Sequence, residues 1–115
     1  MYTEIQQIKS FEEIEALLFK NTSDNQIIEK EIKSLEYKNR LKRLGARYLI
    51  KASILEYIEL DDQFNNIEIE NEESGKPVVH FKGLVEERIK LKNIKNVNVS
   101  ISHSRNHVAT LVVIE

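Results

Sequence analysis

Asn66-Ile67-Glu68-Ile69-Glu70-Asn71-Glu72-Glu73-Ser74-Gly75-Lys76-Pro77-Val78-Val79-His80-Phe81 is the stretch on which the fold turns. Ile67 and Ile69 alternate with Glu68 and Glu70, the period of a half-buried strand. Asn71 to Pro77 collects turn formers. Gly75 supplies a positive φ, and Pro77 cannot sit inside a central strand. Val78-Val79-His80-Phe81 then resumes as a strand, so the stretch reads as a β-hairpin.

Upstream the period is helical. From about Ile28 to Leu60 there is no proline and a single glycine. Ile32, Leu35, Leu41, Leu44, Tyr48, Leu55 and Ile58 recur near a 3.6-residue spacing. This predicts one or two helices, the main one ending near Leu60. Gly45 inside it costs about 1 kcal/mol against alanine, which makes sense if a backbone or ligand comes close there. Further upstream, Ser10-Phe11-Glu12-Glu13 is a capping box that starts a short helix running to about Lys20. Asn21-Thr22-Ser23-Asp24-Asn25 reads as a loop.

Downstream of the hairpin, Gly83 to Lys92 suits a short helix. Val97, Val99 and Ile101 alternate with polar residues. Ser104-Arg105-Asn106-His107 turns the chain, and Val108 to Ile114 forms a last apolar strand. Helices first and an antiparallel sheet after them define an α+β class, with helices packed on the sheet.

The chain has 115 residues, 41% hydrophobic and 31% charged, which suits one globular domain spanning 1–115. A net charge of -2 argues against a nucleic-acid or anionic-membrane surface. No apolar run approaches the roughly 20 residues needed to span a bilayer. There is no cysteine, which removes disulfides, thiolate metal sites and cysteine nucleophiles and fits a reducing cytoplasm. No secretion signal is evident at the N-terminus. Phosphate-loop, dinucleotide, metalloprotease and nucleophile-elbow motifs are missing.

Three places could carry chemistry. Ser102, His103, Ser104, Arg105 and Asn106 put hydroxyls, an imidazole, a guanidinium and turn amides together, a set suited to an anion. The same residues also read as an ordinary polar turn. Gly75-Lys76-Pro77 is a turn on which a ligand could rest. Arg47 and Lys51, four apart on the long helix, repel slightly. A bound anion turns that repulsion into attraction, whereas two solvated cations on an outer face need no ligand.

In their order along the chain these pieces resemble the holo-acyl-carrier-protein synthases, a branch of the 4'-phosphopantetheinyl transferases. Arg47-Tyr48-Leu49-Ile50-Lys51, Asn66-Ile67-Glu68-Ile69, Gly75-Lys76-Pro77 and Val99-Ser100-Ile101-Ser102-His103-Ser104 are similar to that family's Arg-aromatic-Ala-Ala-Lys-Glu-Ala helix, Asp-Ile-Glu-Ile strand, Gly-Lys-Pro turn and Ser-Ile-Ser-His-Ser strand. Val108 to Val113 is similar to its last strand, so the resemblance covers about Glu31 to Glu115. It implies transfer of phosphopantetheine from coenzyme A to a serine of an acyl carrier protein, in fatty-acid or polyketide biosynthesis. It also implies a homotrimer with coenzyme A between subunits. Arg47, His103 and Ser104 would hold the 3'-phosphate, with Lys51 nearby on the helix. The backbone of Gly75, Lys76 and Pro77 would lie against the adenine, and Mg2+ would neutralise the pyrophosphate.

The departures fall on the metal. The family's Mg2+-binding Glu is Ala52 here, and its next-turn phosphate-binding Lys is Glu56. The family's opening strand is missing from this reading. Glu4-Ile5 aligns loosely with the Asp-Ile segment that supplies the other metal ligand. Two expectations follow. In one, Glu56 reaches the metal with Glu4 and the chain is a divergent transferase. In the other, the chain is an inactive relative that binds a carrier protein or partner enzyme.

Overall fold

The computed structural model describes residues 2–18 and 35–115. The described elements are β1 (Thr3–Ser10), α1 (Phe11–Leu18), α2 (Leu35–Ile58), a 3-10 turn (Phe64–Asn66), β2 (Ile67–Asn71), β3 (Pro77–Phe81), α3 (Gly83–Leu91), β4 (Val97–His103) and β5 (His107–Ile114). β1, β5 and β4 form an antiparallel sheet in that order, and β2 and β3 form the hairpin read from the sequence. The expected loop at Asn21 to Asn25 and the helix end at Lys20 lie outside the described residues.

The capping box forms as read. The Ser10 N–H donates to Glu13 Oε1 and the Glu13 N–H donates to Ser10 Oγ, each at 3.1 Å. These bonds satisfy donors that the first turn of α1 leaves without intrahelical partners. The Ser10 amide and hydroxyl hold the Glu13 carboxyl below its ordinary range.

β1 corrects the expectation that the chain has no opening strand. Thr3 to Ser10 pairs in full with β5, from Thr3 opposite Ile114 to Ser10 opposite His107. Its inward positions are Thr3, Ile5, Gln7 and Lys9, and its outward ones Glu4, Gln6 and Ile8. With one apolar side chain facing in and one facing out, the strand carries almost no hydrophobic alternation. Pairing with β5, not the pattern, makes it a strand.

α2 joins two clusters. Its second half sends Ile50, Ile54, Leu55 and Ile58 against Ile67 and Ile69 of β2, Val85 and Ile89 of α3, and Val99, Val112 and Ile114 of the sheet. Its first half packs Tyr37, Leu41, Ala46 and Leu49 on Ile14 of α1 and Val108 of β5. A fully buried aliphatic side chain contributes about 1.5–3 kcal/mol, so this one helix anchors most of the core. It ends in a Schellman turn. Glu59 takes φ 59°, the Leu60 N–H reaches the Leu55 carbonyl at 3.1 Å, and Arg88 Nη1 donates to the Ile58 carbonyl at 2.9 Å. Tyr48 stacks on Phe64 with ring centroids 5.3 Å apart, which ties the turn before β2 to the helix.

Gly45 is explained by a side chain rather than by a backbone or ligand. A Cβ there would lie 2.7 Å from Ile14 Cγ2 and 2.9 Å from its Cδ1. Ile14 is only 1% exposed and cannot retreat. Gly45→Ala should therefore destabilise by about 1–3 kcal/mol despite alanine's better helix propensity. In an Ile14→Ala background the same change should stabilise, a reversal that denaturant melts of the double-mutant cycle would show. A second expectation concerns acid. Because the Glu13 carboxyl is lowered in the fold, its stabilisation is full above the ordinary value of 4.5 and is lost as pH falls through the lowered value. Glu13→Gln should flatten that part of the acid unfolding curve.

Candidate functional site

α2, the hairpin and β4 meet around a cleft of about 380 Å³. The helix contributes Asn39, Lys42, Arg43, Ala46 and Arg47. The hairpin contributes Ile69, Asn71, Gly75 and Pro77, and β4 contributes Ile101 and His103.

Local structure sets each wall. Asn39, Arg43 and Arg47 follow one another at four-residue spacing, so one face of α2 turns them toward the cleft. The hairpin turn is closed by Glu72 N–H to the Lys76 carbonyl at 2.9 Å and Gly75 N–H to the Glu72 carbonyl at 2.8 Å. Gly75 has φ 90°, and an added Cβ would meet nothing within 4 Å. Its backbone angle, not crowding, calls for glycine. On β4, Val97, Val99, Ile101 and His103 share the face toward the helices. The following turn is fixed by Ser104 N–H to the His107 carbonyl and by Phe11 N–H to the Asn106 carbonyl, both at 3.0 Å. The start of α1 thus buttresses the strand end that carries His103.

Of the residues singled out from the sequence, Arg47, Gly75, Pro77 and His103 come together in the cleft. Lys76 and Ser104 are exposed neighbours of lining residues and do not line it themselves. Lys51 lies one turn beyond Arg47, half-buried, and feels Glu68 and Lys82 at the hairpin. Burial first, and then the Arg47 charge, hold its ammonium below the ordinary range. Glu68 is itself held by Lys82 Nζ at 2.7 Å. Glu56 is exposed on α2 outside the cleft. Glu4 points outward from β1 and accepts a hydrogen bond from the Tyr2 hydroxyl. Ile5, beside it, faces the core that α2 fills. The sheet therefore stands between Glu4 and Glu56.

Lys42 and Arg43 line the cleft but were not marked by the motif order. Their signal was available in the helical period: extending the Arg47 stripe one turn toward the N-terminus reaches them. Lys42 also sits 6.0 Å over the Phe11 ring. Among the described residues neither Arg43 nor Arg47 is in an ion pair. Among the described residues no carboxylate lines the cleft, so the field they set there is positive and suits a polyanion.

An α+β protein with an anion-receptive cleft between a long helix and a sheet is the class these features define. No protein-family model matches the chain. A holo-[acyl-carrier-protein] synthase of Clostridium tetani is 33% identical over 91 residues, covering 76% of this chain and 72% of that protein. The Helicobacter pylori holo-[acyl-carrier-protein] synthase, solved in complex with coenzyme A, superposes with TM-score 0.67 at 19% identity, covering 98% of this chain and all of that one (100%). A Chronobacterium ammoniagenes synthase–coenzyme A complex gives TM-score 0.67 at 19% identity, covering 100% of this chain and 97% of its own. The chain belongs to the holo-[acyl-carrier-protein] synthase family.

Lys51 offers a direct test of the cleft's electrostatics. Its lowered value means that the folded state disfavours its charge, so stability rises with pH between that value and the ordinary 10.5. Arg47→Met should move the Lys51 titration midpoint back upward, as side-chain NMR of the lysine ammonium would record. An unchanged midpoint would show that Arg47 does not act on Lys51.

Proposed function

We propose that the chain transfers 4'-phosphopantetheine from coenzyme A to a serine of an acyl carrier protein. The carrying observation is that Arg47, Gly75, Pro77 and His103, drawn from three separate motifs, line one positively charged cleft. Family membership supplies the reaction and the substrate pair.

In this reading Arg47, His103 and the neighbouring Ser104 hold the 3'-phosphate, and the turn at Gly75, Lys76 and Pro77 packs on the adenine. Arg43 and Lys42 add positive charge to the same wall. One P–O bond forms at the carrier serine as the bond to 3',5'-ADP breaks. Catalysis of such transfer is mostly positioning and charge neutralisation. The chain's cations hold the phosphates and stabilise the leaving diphosphate.

Magnesium does not fit the donor set. Mg2+ is ordinarily held by one or two carboxylates together with substrate phosphates. Here the family's Glu position is Ala52, Glu56 stands outside the cleft lining and Glu4 projects from the opposite face of the sheet. Among the described residues no three His, Asp or Glu side chains gather as a metal site.

Assembly as a homotrimer is supported by the outer face of the three-stranded sheet. Ile8 is 65% exposed there. It borders a shallow apolar depression of about 160 Å³ with Ala109 and Leu111. The helices pack on the other face. No described helix is long and apolar enough to cross a membrane, and the proposed carrier-protein chemistry supports a cytoplasmic location.

Incubation with coenzyme A and apo-carrier proteins, followed by intact-mass measurement, should show the phosphopantetheine addition on a carrier. Coenzyme A binding without transfer to any carrier tested would instead favour the inactive, carrier-binding relative, the reading to which Ala52 points. Light scattering should give a trimer mass, and Ile8→Glu should reduce it to that of the monomer with the fold intact by circular dichroism.

A further inference from the structure

We infer that this cleft binds coenzyme A without a divalent cation, and that a row of helix cations supplies the positive charge a metal would bring. The inference rests on the reading of the cleft as a coenzyme A site. Arg43, Arg47 and Lys51 recur at four-residue intervals along α2 and form one stripe. The stripe begins inside the cleft and continues past its edge to the residue beside Ala52. Like charges at this spacing repel. The repulsion is felt at Lys51, whose ammonium is held below its ordinary range by burial first and then by the Arg47 charge. The diphosphate bridge of coenzyme A carries an ionised oxygen on each phosphorus, so laid along the stripe it relieves the repulsion.

The acidic groups sit in the wrong places for a metal. Among the described residues the cleft lining holds cations, amides, apolar groups and one imidazole, with no carboxylate. Glu68, the carboxylate whose charge reaches Lys51, is committed to Lys82 at 2.7 Å. A divalent cation placed beside Arg47 and Lys51 adds repulsion without gaining a hard anionic ligand from the lining. Where a metal-dependent site joins carboxylates and metal to the phosphates, this one presents guanidinium and ammonium groups to them directly, as charge-assisted hydrogen bonds.

The experiment is calorimetric titration of coenzyme A into the full chain, once in EDTA and once in excess Mg2+. Equal affinity in the two buffers is expected. Losing one charge-assisted contact should weaken binding about tenfold or more, so Arg43→Met and Lys51→Met should each do so in EDTA. Lys92→Met, an exposed cation past the end of α3, should leave the affinity unchanged. Thermal melts establish that the variants are folded, and the wild-type comparison stands without them. Tightening of wild-type binding tenfold or more by Mg2+ would overturn this inference alone. Equal affinity with folded Arg43 and Lys51 variants that bind normally would overturn the role of the row. No binding in either buffer would overturn the coenzyme A reading itself, and this inference with it.

Discussion

The burial of α2 against the sheet is the contact on which everything else depends. Ile50, Ile54 and Ile58, at four-residue spacing and each fully buried, lock the helix over Val112 and Ile114 of β5. Once that stripe is fixed, the helical period leaves no freedom for the rest of the surface. Arg43, Arg47 and Lys51 must emerge along the flank of α2, facing the hairpin. The core and the cationic wall are two faces of one helix. A change that rotates α2 would therefore harm the site before it abolished the fold.

The other walls are held by smaller devices. The hairpin turn is set by Gly75 and two backbone bonds, and Ile67 and Ile69 fasten its first strand to the core. His103 is placed by β4 pairing with β5, and the turn beyond it is buttressed by the Phe11 amide. The cleft thus joins elements distant in sequence through contacts that are each local and satisfied. The cost is concentrated positive charge on α2, with burial and then the Arg47 charge lowering the Lys51 ammonium from its ordinary range. Such a strained electrostatic arrangement is expected where an anion binds.

Much of this was legible in the residues. The hairpin, α2 and its end, the short α3 and the last two strands all carry clear periods or turn formers. The capping box gave the start of α1 to the residue. β1 was not legible, because its inward side chains include Gln7 and Lys9 and its outward ones include Ile8. Long-range pairing with β5 decides it. At Gly45 the reason was also hidden, because a side chain from another helix fills the space. In the site, the motif order pointed to Arg47, Gly75, Pro77 and His103. Arg43 and Lys42 needed the helical stripe followed further, and the separation of Glu4 from Glu56 needed the sheet.

The central claim is that motifs far apart in sequence build one coenzyme A cleft, and a crystal structure of the chain grown with coenzyme A in EDTA tests it most directly. The account predicts the 3'-phosphate in contact with Arg47 and His103, and the adenine against the backbone of Gly75 to Pro77. Coenzyme A bound elsewhere on the chain, with this cleft holding only solvent, would contradict it.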